Sequence, residues 1–304
     1  MANLELGVAA AFAASALFDL GIAIQALEAR VAPAERSLRL SLLTGLMRRR
    51  LWILGTGLAA VGWPLQVLAL SMAPLTLVQP ALAVGLILLL ALGARMLGER
   101  VGRREIVGVV AIVGGVAGIG WAAPSHTSAH AGAGRLALGL ALLGALAVAP
   151  YLARSRRPGG LAVVIGAGAA YAWTGLSSKL ISDHLSAGNY GAAGAWAGAT
   201  IVLGGLGLLS EMTALQHRPA TQVAPLVYVV QVAVPVLLAP LLGGEHWGDT
   251  PLGGAVLVLL LAIVAGGAAT LAGSRLVAAV SAPPGDQAGH ADRAHPSLAQ
   301  AGEE

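Results

Sequence analysis

Apolar residues run along this chain in stretches of about 20 residues, separated by short polar or Pro/Gly-rich breaks. The stretches have neither the two-residue alternation of a half-solvated strand nor the polar face of a helix on a soluble protein. Each is long enough to cross the roughly 30 Å hydrocarbon core of a bilayer as an α-helix. The pattern predicts nine membrane helices, near residues 5–27, 51–72, 75–97, 104–122, 134–153, 160–181, 193–215, 220–242 and 251–273.

Composition agrees with an all-α integral membrane protein. Hydrophobic residues make up 57% of the chain and charged residues 11%, and the mean hydropathy is +0.80. The 42 glycines suit close packing of helices in lipid, because small residues let two backbones approach each other. The chain has no cysteine, which excludes a disulfide framework and a thiol nucleophile.

The positive charges lie beside the predicted helices and indicate how the chain is oriented. Arginines follow the first, third, fifth, seventh and ninth helices, at Arg30, Arg36, Arg39, Arg48, Arg49, Arg50, Arg100, Arg103, Arg104, Arg154, Arg156, Arg157, Arg218 and Arg275. Nine crossings place all of these on one side, which is the cytoplasmic side for basic loops, and only Arg135 and Lys179 fall opposite. We therefore predict a multi-pass protein of the cell membrane with its N-terminus outside and its C-terminus in the cytoplasm. Orientation explains the net charge of +4, so nucleic-acid binding is not expected.

A twelve-residue pattern, Ala-Leu-x-x-x-Pro-x-Thr-x-Val-x-Pro, occurs twice in the chain. The copies are Ala69, Leu70, Pro74, Thr76, Val78 and Pro80, and Ala214, Leu215, Pro219, Thr221, Val223 and Pro225. An apolar run follows each copy and ends at Gly98-Glu99 or at Gly244-Glu245. Two proline pairs and a threonine pair in register indicate an internal duplication rather than a bias of composition.

The duplication and the charge pattern together predict an inverted repeat. The copies lie on predicted helices two and three and on helices seven and eight, so an odd number of spans separates them and they cross the membrane in opposite directions. The predicted parts are a first transmembrane repeat at 1–122, a linking helix with its loops at 123–158, a second inverted repeat at 159–280 and a disordered cytoplasmic tail at 281–304.

The repeated motif, the Gly-Glu pairs and a further helix that opens with Gly108 or Gly253 resemble the drug/metabolite transporter superfamily, which includes the EamA-like proteins. The usual member has ten helices in two five-helix units, whereas this chain lacks the second helix of each unit and gains a linker. That nine-helix form resembles the NIPA-like branch, which includes magnesium transporters. The resemblance covers residues 1 to about 275. It implies passage of a small solute across the membrane without ATP.

Two acids within the predicted helices are the leading candidates for chemistry. Asp19 lies about 12 Å from the cytoplasmic end of helix one at 1.5 Å per residue. A charge at that depth costs roughly 2.5 to 3.5 kcal/mol on insertion scales, so a functional role is expected, with a structural hydrogen bond as the alternative. Glu211 matches Gln66 in the repeat, and it either lines a pathway or extends toward His217 and Arg218 at the membrane surface.

Further polar and aromatic side chains complete a predicted pathway. Its residues are Asp19, Gln25, Trp63, Gln66, Gln79, Trp173, Glu211, Gln222 and Tyr228. Tryptophan faces could hold an organic or cationic substrate, and simple packing is the alternative. Prolines that free backbone carbonyls are predicted hinges, namely Pro64, Pro74, Pro80, Pro219, Pro225 and Pro235.

These features predict a secondary transporter or facilitator for a small metabolite or drug that works by alternating access. A NIPA-like magnesium transporter is the second hypothesis, and a non-transporting membrane scaffold is the third. No catalytic or ATP-binding motif occurs in a credible context, so we expect neither an enzyme nor a cofactor. The expected partners are the lipid bilayer and a small-molecule or ion substrate. The substrate's identity, any metal site and the oligomeric state are not predicted.

Overall fold

A computed structural model describes residues 2–73, 75–122, 133–153, 160–243 and 251–281, and every regular element in those ranges is helical. The α-helices are α1 Ala2–Arg30, α2 Leu40–Leu46, α3 Arg50–Met72, α4 Leu75–Met96, α5 Arg103–Ala122, α6 Ala133–Leu152, α7 Leu161–Ser186, α8 Tyr190–His217, α9 Ala220–Gly243 and α10 Ala255–Ser281. Short 3-10 turns cover Ala34–Arg36 and Pro251–Gly254. The predicted tail and the second Gly-Glu pair lie outside the described residues, apart from Ser281.

The long helices coincide with the apolar runs of the sequence. Six of them are long and apolar enough to cross a membrane, namely Leu4–Arg30, Arg50–Ala69, Arg103–Ala122, Gly134–Leu152, Tyr190–His217 and Ala255–Ala272. The qualifying apolar stretches within α4, α7 and α9 are shorter, at 10–17 residues. The chain is therefore a membrane-spanning helical protein, while the count of nine crossings stays a prediction. The helix α2 was not predicted; it lies in the loop after the first predicted helix, and Leu42 and Leu46 are its buried residues.

Neighbouring helices in each part of the bundle pack closely and antiparallel. In the α1–α3 pair, Gly21 faces Gly55 and Phe18 faces Gly62. A side chain at Gly21 would begin 2.7 Å from the carbonyl oxygen of Gly55, so the two backbones are in contact there. The α7–α8 pair is also antiparallel, because Gly207 faces Ala170 while the earlier residue Gly204 faces the later residue Thr174.

Helices α5 and α10 pack on each other. Gly108 of α5 faces Gly267 of α10, and Gly118 faces Leu260, so these helices too are antiparallel. The set of helix pairs is regular: α1 packs on α3 and α4, and α4 packs on α5, whereas α7 packs on α8 and α9, and α9 packs on α10. Helices α4 and α9 touch each other, and α6 lies against α7, α8 and α9.

Polar contacts define one end of the bundle, which we call the arginine-rich end. It contains the C-terminal ends of α1, α4 and α8 and the N-terminal ends of α3, α5 and α9. The chain that follows α1 is tied to the end of α8, because the backbone N–H of Leu38 donates to the Thr213 hydroxyl at 3.0 Å and the Gln216 amide donates to Ala32 at 3.3 Å. Arg49 pairs with Glu28 at 2.6 Å at the same end.

Candidate functional site

The deepest acid of the first helix is buried against α4. Asp19 is only 5% exposed, and its Oδ2 lies 3.3 Å from the hydroxyl of Ser15, four residues earlier on the same face of α1. The Ser15 hydroxyl also lies 2.7 Å from the carbonyl oxygen of Leu82 on α4. These contacts place the carboxyl group between α1 and α4, away from lipid.

Gly85 makes room for this arrangement. A side chain at Gly85 would begin in collision with both the Ser15 hydroxyl and Oδ2 of Asp19. The two polar groups therefore lie flat against the backbone of α4, in space that any residue other than glycine would fill. We call this arrangement of Gly85, Ser15 and Asp19 the cradle. It could not be predicted from the sequence, because Gly85 lies in an uninterrupted apolar run.

The number of hydrogen-bond donors and acceptors in this cluster limits where its protons can lie. A serine hydroxyl has one proton, and the Leu82 carbonyl oxygen can only accept. If Ser15 donates to Leu82, its contact with Asp19 is a hydrogen bond only when the carboxyl group carries a proton and donates to Ser15. One proton on Asp19 therefore satisfies both contacts together.

Tyr228 of α9 lies near the same site. It lies on α9, it is half-buried, and its hydroxyl is close enough to Asp19 for the two groups to interact electrostatically. The Asp19 carboxyl group thus lies between α1 and α4, with Tyr228 of α9 within range of an electrostatic interaction.

The second buried acid lies in a separate cluster on α6, α7 and α8. Glu211 is 5% exposed, and its carboxylate accepts a hydrogen bond of 2.6 Å from the Tyr171 hydroxyl. Nearby, the Tyr151 hydroxyl donates to the carbonyl oxygen of Leu206 at 2.6 Å and contacts the Ser210 hydroxyl at 2.9 Å. The Glu211 carboxylate is therefore bonded inside the bundle rather than exposed at its surface.

The other predicted pathway residues are dispersed. Gln25 is buried and donates to the Thr56 hydroxyl at 3.0 Å, which links α1 to α3. Gln66 is half-buried, whereas Trp63 is 63% exposed on the outside of α3 and does not face the interior. Trp173 is buried against Trp196, with ring centroids 6.0 Å apart, in an apolar cluster of α6, α7 and α8.

Three of the predicted hinge prolines lie within continuous helices, and their role as hinges stays a prediction. Helix α3 runs through Pro64, α4 runs through Pro80, and α9 runs through Pro225. Pro219 lies one residue before the start of α9, where its missing N–H removes no helical bond. Pro74 lies outside the described residues, as do the side chains of Gln79 and Pro235.

A cavity of about 580 Å³ opens at the arginine-rich end. Charged and amide side chains line most of it, namely Arg30, Glu99, Arg100, Glu105, Gln216, His217, Arg218 and Gln222. Gln222 is the one predicted pathway residue among them, and it is 6% exposed. The cavity lies between the ends of α4 and α8 and the start of α9.

Several residues of these clusters were missed by the sequence interpretation. Ser15 carried a usable signal, because it lies one helical turn before Asp19. Tyr171 and Tyr151 carried none, since their partners lie 40 and 59 residues away in the chain. In the part of the chain that the structure describes, no three His, Cys, Asp or Glu side chains come together as a metal-binding group.

Comparison with known proteins finds no relative of this chain. No protein family matches the chain, and no curated protein or solved structure compared with it matches either.

Proposed function

We propose that this protein is a secondary transporter that moves a small solute, a metabolite or a drug, by alternating access and without ATP. One observation carries the proposal: the helices that would correspond in two halves form the same pairs and run in opposite directions. The halves are α1, α3, α4 and α5, and α7, α8, α9 and α10, with α6 as the linker.

The directions follow from the contacts at the arginine-rich end. Helices α1 and α4 end there, because Arg30 donates to the carbonyl oxygen of Leu97 at 3.1 Å, whereas α9 begins there. Helix α8 also ends there, so its antiparallel neighbour α7 begins there. The same reasoning gives opposite directions to α5 and α10. Each helix of one half is thus antiparallel to its counterpart in the other.

Two inverted halves can adopt two related conformations that open on opposite sides of a central site, and this property supports transport. A scaffold that only anchors partner proteins has no need of it. The arrangement also supports the resemblance to the nine-helix branch of the drug/metabolite transporter superfamily. In this chain, α6 takes the place of the predicted linking helix.

Asp19 is the proposed coupling group. It lies between two helices of the first half, and Tyr228 of the second half is near enough to interact with it electrostatically. Because a proton on the carboxyl group satisfies both contacts of Ser15, we propose that this conformation holds the proton and that transport is coupled to its release. Glu211 is the proposed polar group of the second half.

A magnesium transporter is the second candidate function. A divalent ion requires several oxygen ligands, even when it keeps part of its water shell. Asp19 and Glu211 lie in separate clusters, and the described residues hold no group of three metal-binding side chains. These observations favour a solute coupled to protons over a divalent cation.

Flux through purified protein in liposomes tests the proposal. The expected result is uptake of a small solute from a metabolite and drug panel that is driven by a pH gradient. Magnesium uptake without dependence on the pH gradient would favour the second candidate. Absence of both fluxes would leave the scaffold hypothesis as the better explanation.

We propose the cell membrane as the location, with the arginine-rich end in the cytoplasm. Basic residues beside membrane helices remain on the cytoplasmic side. The antiparallel contacts described above support an N-terminus on the opposite side, because α1 ends at the arginine-rich end.

A further inference from the structure

Glu99 follows a turn that directs its side chain back toward the bundle. Gly98, two residues after the end of α4, lies in the left-handed region with φ +63°, a conformation that favours glycine. The backbone N–H of Glu99 then donates to the carbonyl oxygen of Gly93 at 2.9 Å. The turn at Gly98 therefore carries Glu99 back over the last turn of α4.

The Glu99 carboxylate binds the first residues of α9. It accepts hydrogen bonds from the backbone N–H groups of Ala220 at 2.6 Å and Thr221 at 2.9 Å, and from the Thr221 hydroxyl. It also forms an ion pair with Arg30 at the end of α1, and its side chain is only 3% exposed. A carboxylate from the first half therefore caps a helix of the second half, where free N–H groups and the helix dipole favour negative charge.

This contact gives a role to the repeated motif. Thr221 is the threonine of the second copy of the motif, and Glu99 belongs to the Gly-Glu pair that follows the first copy. The Gly-Glu pair that follows the first copy is thus joined to the second copy at the arginine-rich end.

The Glu99 contact lies between the open cavity and the Asp19 site. On its outer side is the cavity of about 580 Å³ that Glu99 itself lines. On its inner side, one turn further into α9, Ala224 packs against Ala23 of α1 and Leu89 of α4, and all three are at most 4% exposed. Asp19 and Tyr228 lie another turn deeper at about 6 Å per four residues. The cavity is therefore closed off from Asp19 by a polar contact and an apolar layer.

The cavity, the Glu99 contact, the apolar layer and Asp19 thus follow one another from the arginine-rich end inward. From this sequence of layers we infer that Glu99 is a gate residue, whose bonds to the start of α9 hold α4 and α9 together and close the arginine-rich end. The inference rests on the proposed transport function. Opening of the path to Asp19 requires these bonds to break, so that α4 and α9 separate at that end. Charge-assisted hydrogen bonds suit this role, because they are stronger than neutral ones and form only in the closed arrangement.

Cysteine labelling measures this opening in the full chain, which has no cysteine of its own. Ala224→Cys places a thiol in the apolar layer, and a water-soluble maleimide reaches it only when the gate opens. Glu99→Gln removes the charge and is expected to increase the labelling rate in detergent or nanodiscs by about tenfold, because hydrogen bonds to charged groups are worth more than those to neutral groups. Thr221→Val removes one bond and leaves the carboxylate, so it should give a smaller increase.

Two controls make the result specific. Glu28→Gln breaks the other arginine–glutamate pair at the same end, which joins parts of the first half only, and should leave the labelling rate unchanged. Ala170→Cys places a thiol in the fully buried α7–α8 interface and reports general unfolding. Equal acceleration at positions 224 and 170 in the Glu99→Gln protein would refute the gate, and so would equal labelling in the Glu99→Gln and Glu28→Gln proteins. Labelling needs no substrate, so a failed flux assay with accelerated labelling would reject transport and leave the Glu99 closure standing.

Discussion

The hydroxyl of Ser15 lies 3.3 Å from Oδ2 of Asp19, one turn further along the same helix. The same hydroxyl is held at 2.7 Å by the carbonyl oxygen of Leu82, so the position of the carboxyl group depends on the packing of α1 against α4. The Asp19 carboxyl group can be charged, in which case it has no proton to donate to Ser15, or protonated, in which case it can donate that proton to Ser15. The first prediction separates these roles.

Asp19→Asn is expected to abolish uptake driven by a pH gradient and to keep the fold. The amide donates to Ser15 as the protonated acid would, so the free energy of unfolding should change by less than about 1 kcal/mol. Flux in liposomes and thermal unfolding in detergent measure the two effects. Glu35→Gln, at an exposed acid outside the long helices, is the matched control and should alter neither. Full uptake by Asp19→Asn would show that Asp19 is structural.

Gly85→Ala is expected to destabilise the protein by about 1 to 3 kcal/mol, because an inserted methyl group overpacks the interface. The new Cβ would collide with Ser15 and Asp19, and neither can move away without losing its contact with α4. Gly114→Ala is the control, since a Cβ there meets no atom within 4 Å. Comparison of melting temperatures tests the prediction, and equal values for the two variants would contradict the cradle.

Tyr171→Phe is expected to lower the free energy of unfolding by about 1 to 3 kcal/mol, because it leaves the buried Glu211 carboxylate without its donor. Glu211→Gln in the same background should recover part of the loss, since an amide is less costly to bury than a charge. A double-mutant cycle by chemical denaturation measures the coupling energy. Additive effects of the two substitutions would mean that the bond contributes nothing.

Single cysteines test which way the chain crosses the membrane. Ser41→Cys lies on exposed α2 at the arginine-rich end, and Ala187→Cys lies on the exposed turn between α7 and α8 at the opposite end. In intact cells an impermeant maleimide should label the second and spare the first. The reverse result would invert the proposed orientation and leave the proposal of two inverted halves unaffected.

The positions of the long helices were predictable because the length of an apolar run is a local property. Arg50–Met72 and Arg103–Ala122 were expected within one residue of their observed bounds. The ends of α7 and α8 were placed less well, since α7 continues to Ser186 and α8 begins at Tyr190. The side chain of Asn189 accepts from the N–H of Ala192 at 3.2 Å and sets the start of α8 in a segment that the apolar pattern assigned to a loop.

The candidate site was predictable only in part. A carboxyl group within an apolar helix is costly wherever the chain folds, so Asp19 and Glu211 could be selected from the sequence. Trp63 could not be judged in the same way. An aromatic side chain is stable against lipid or against protein, and the face of α3 that meets α1 decides which one it contacts.

The sequence by itself determined that the chain is helical and membrane-spanning, that its motif is duplicated, and that two acids lie within the apolar runs. Composition and apolar length are enough for that, because lipid requires each spanning segment to satisfy its own backbone. Only the tertiary structure decided what the acids and the motif contact. Ser15 meets a carbonyl oxygen 67 residues away and Glu99 caps a helix 122 residues away, and such pairs are set by how helices pack rather than by any local pattern.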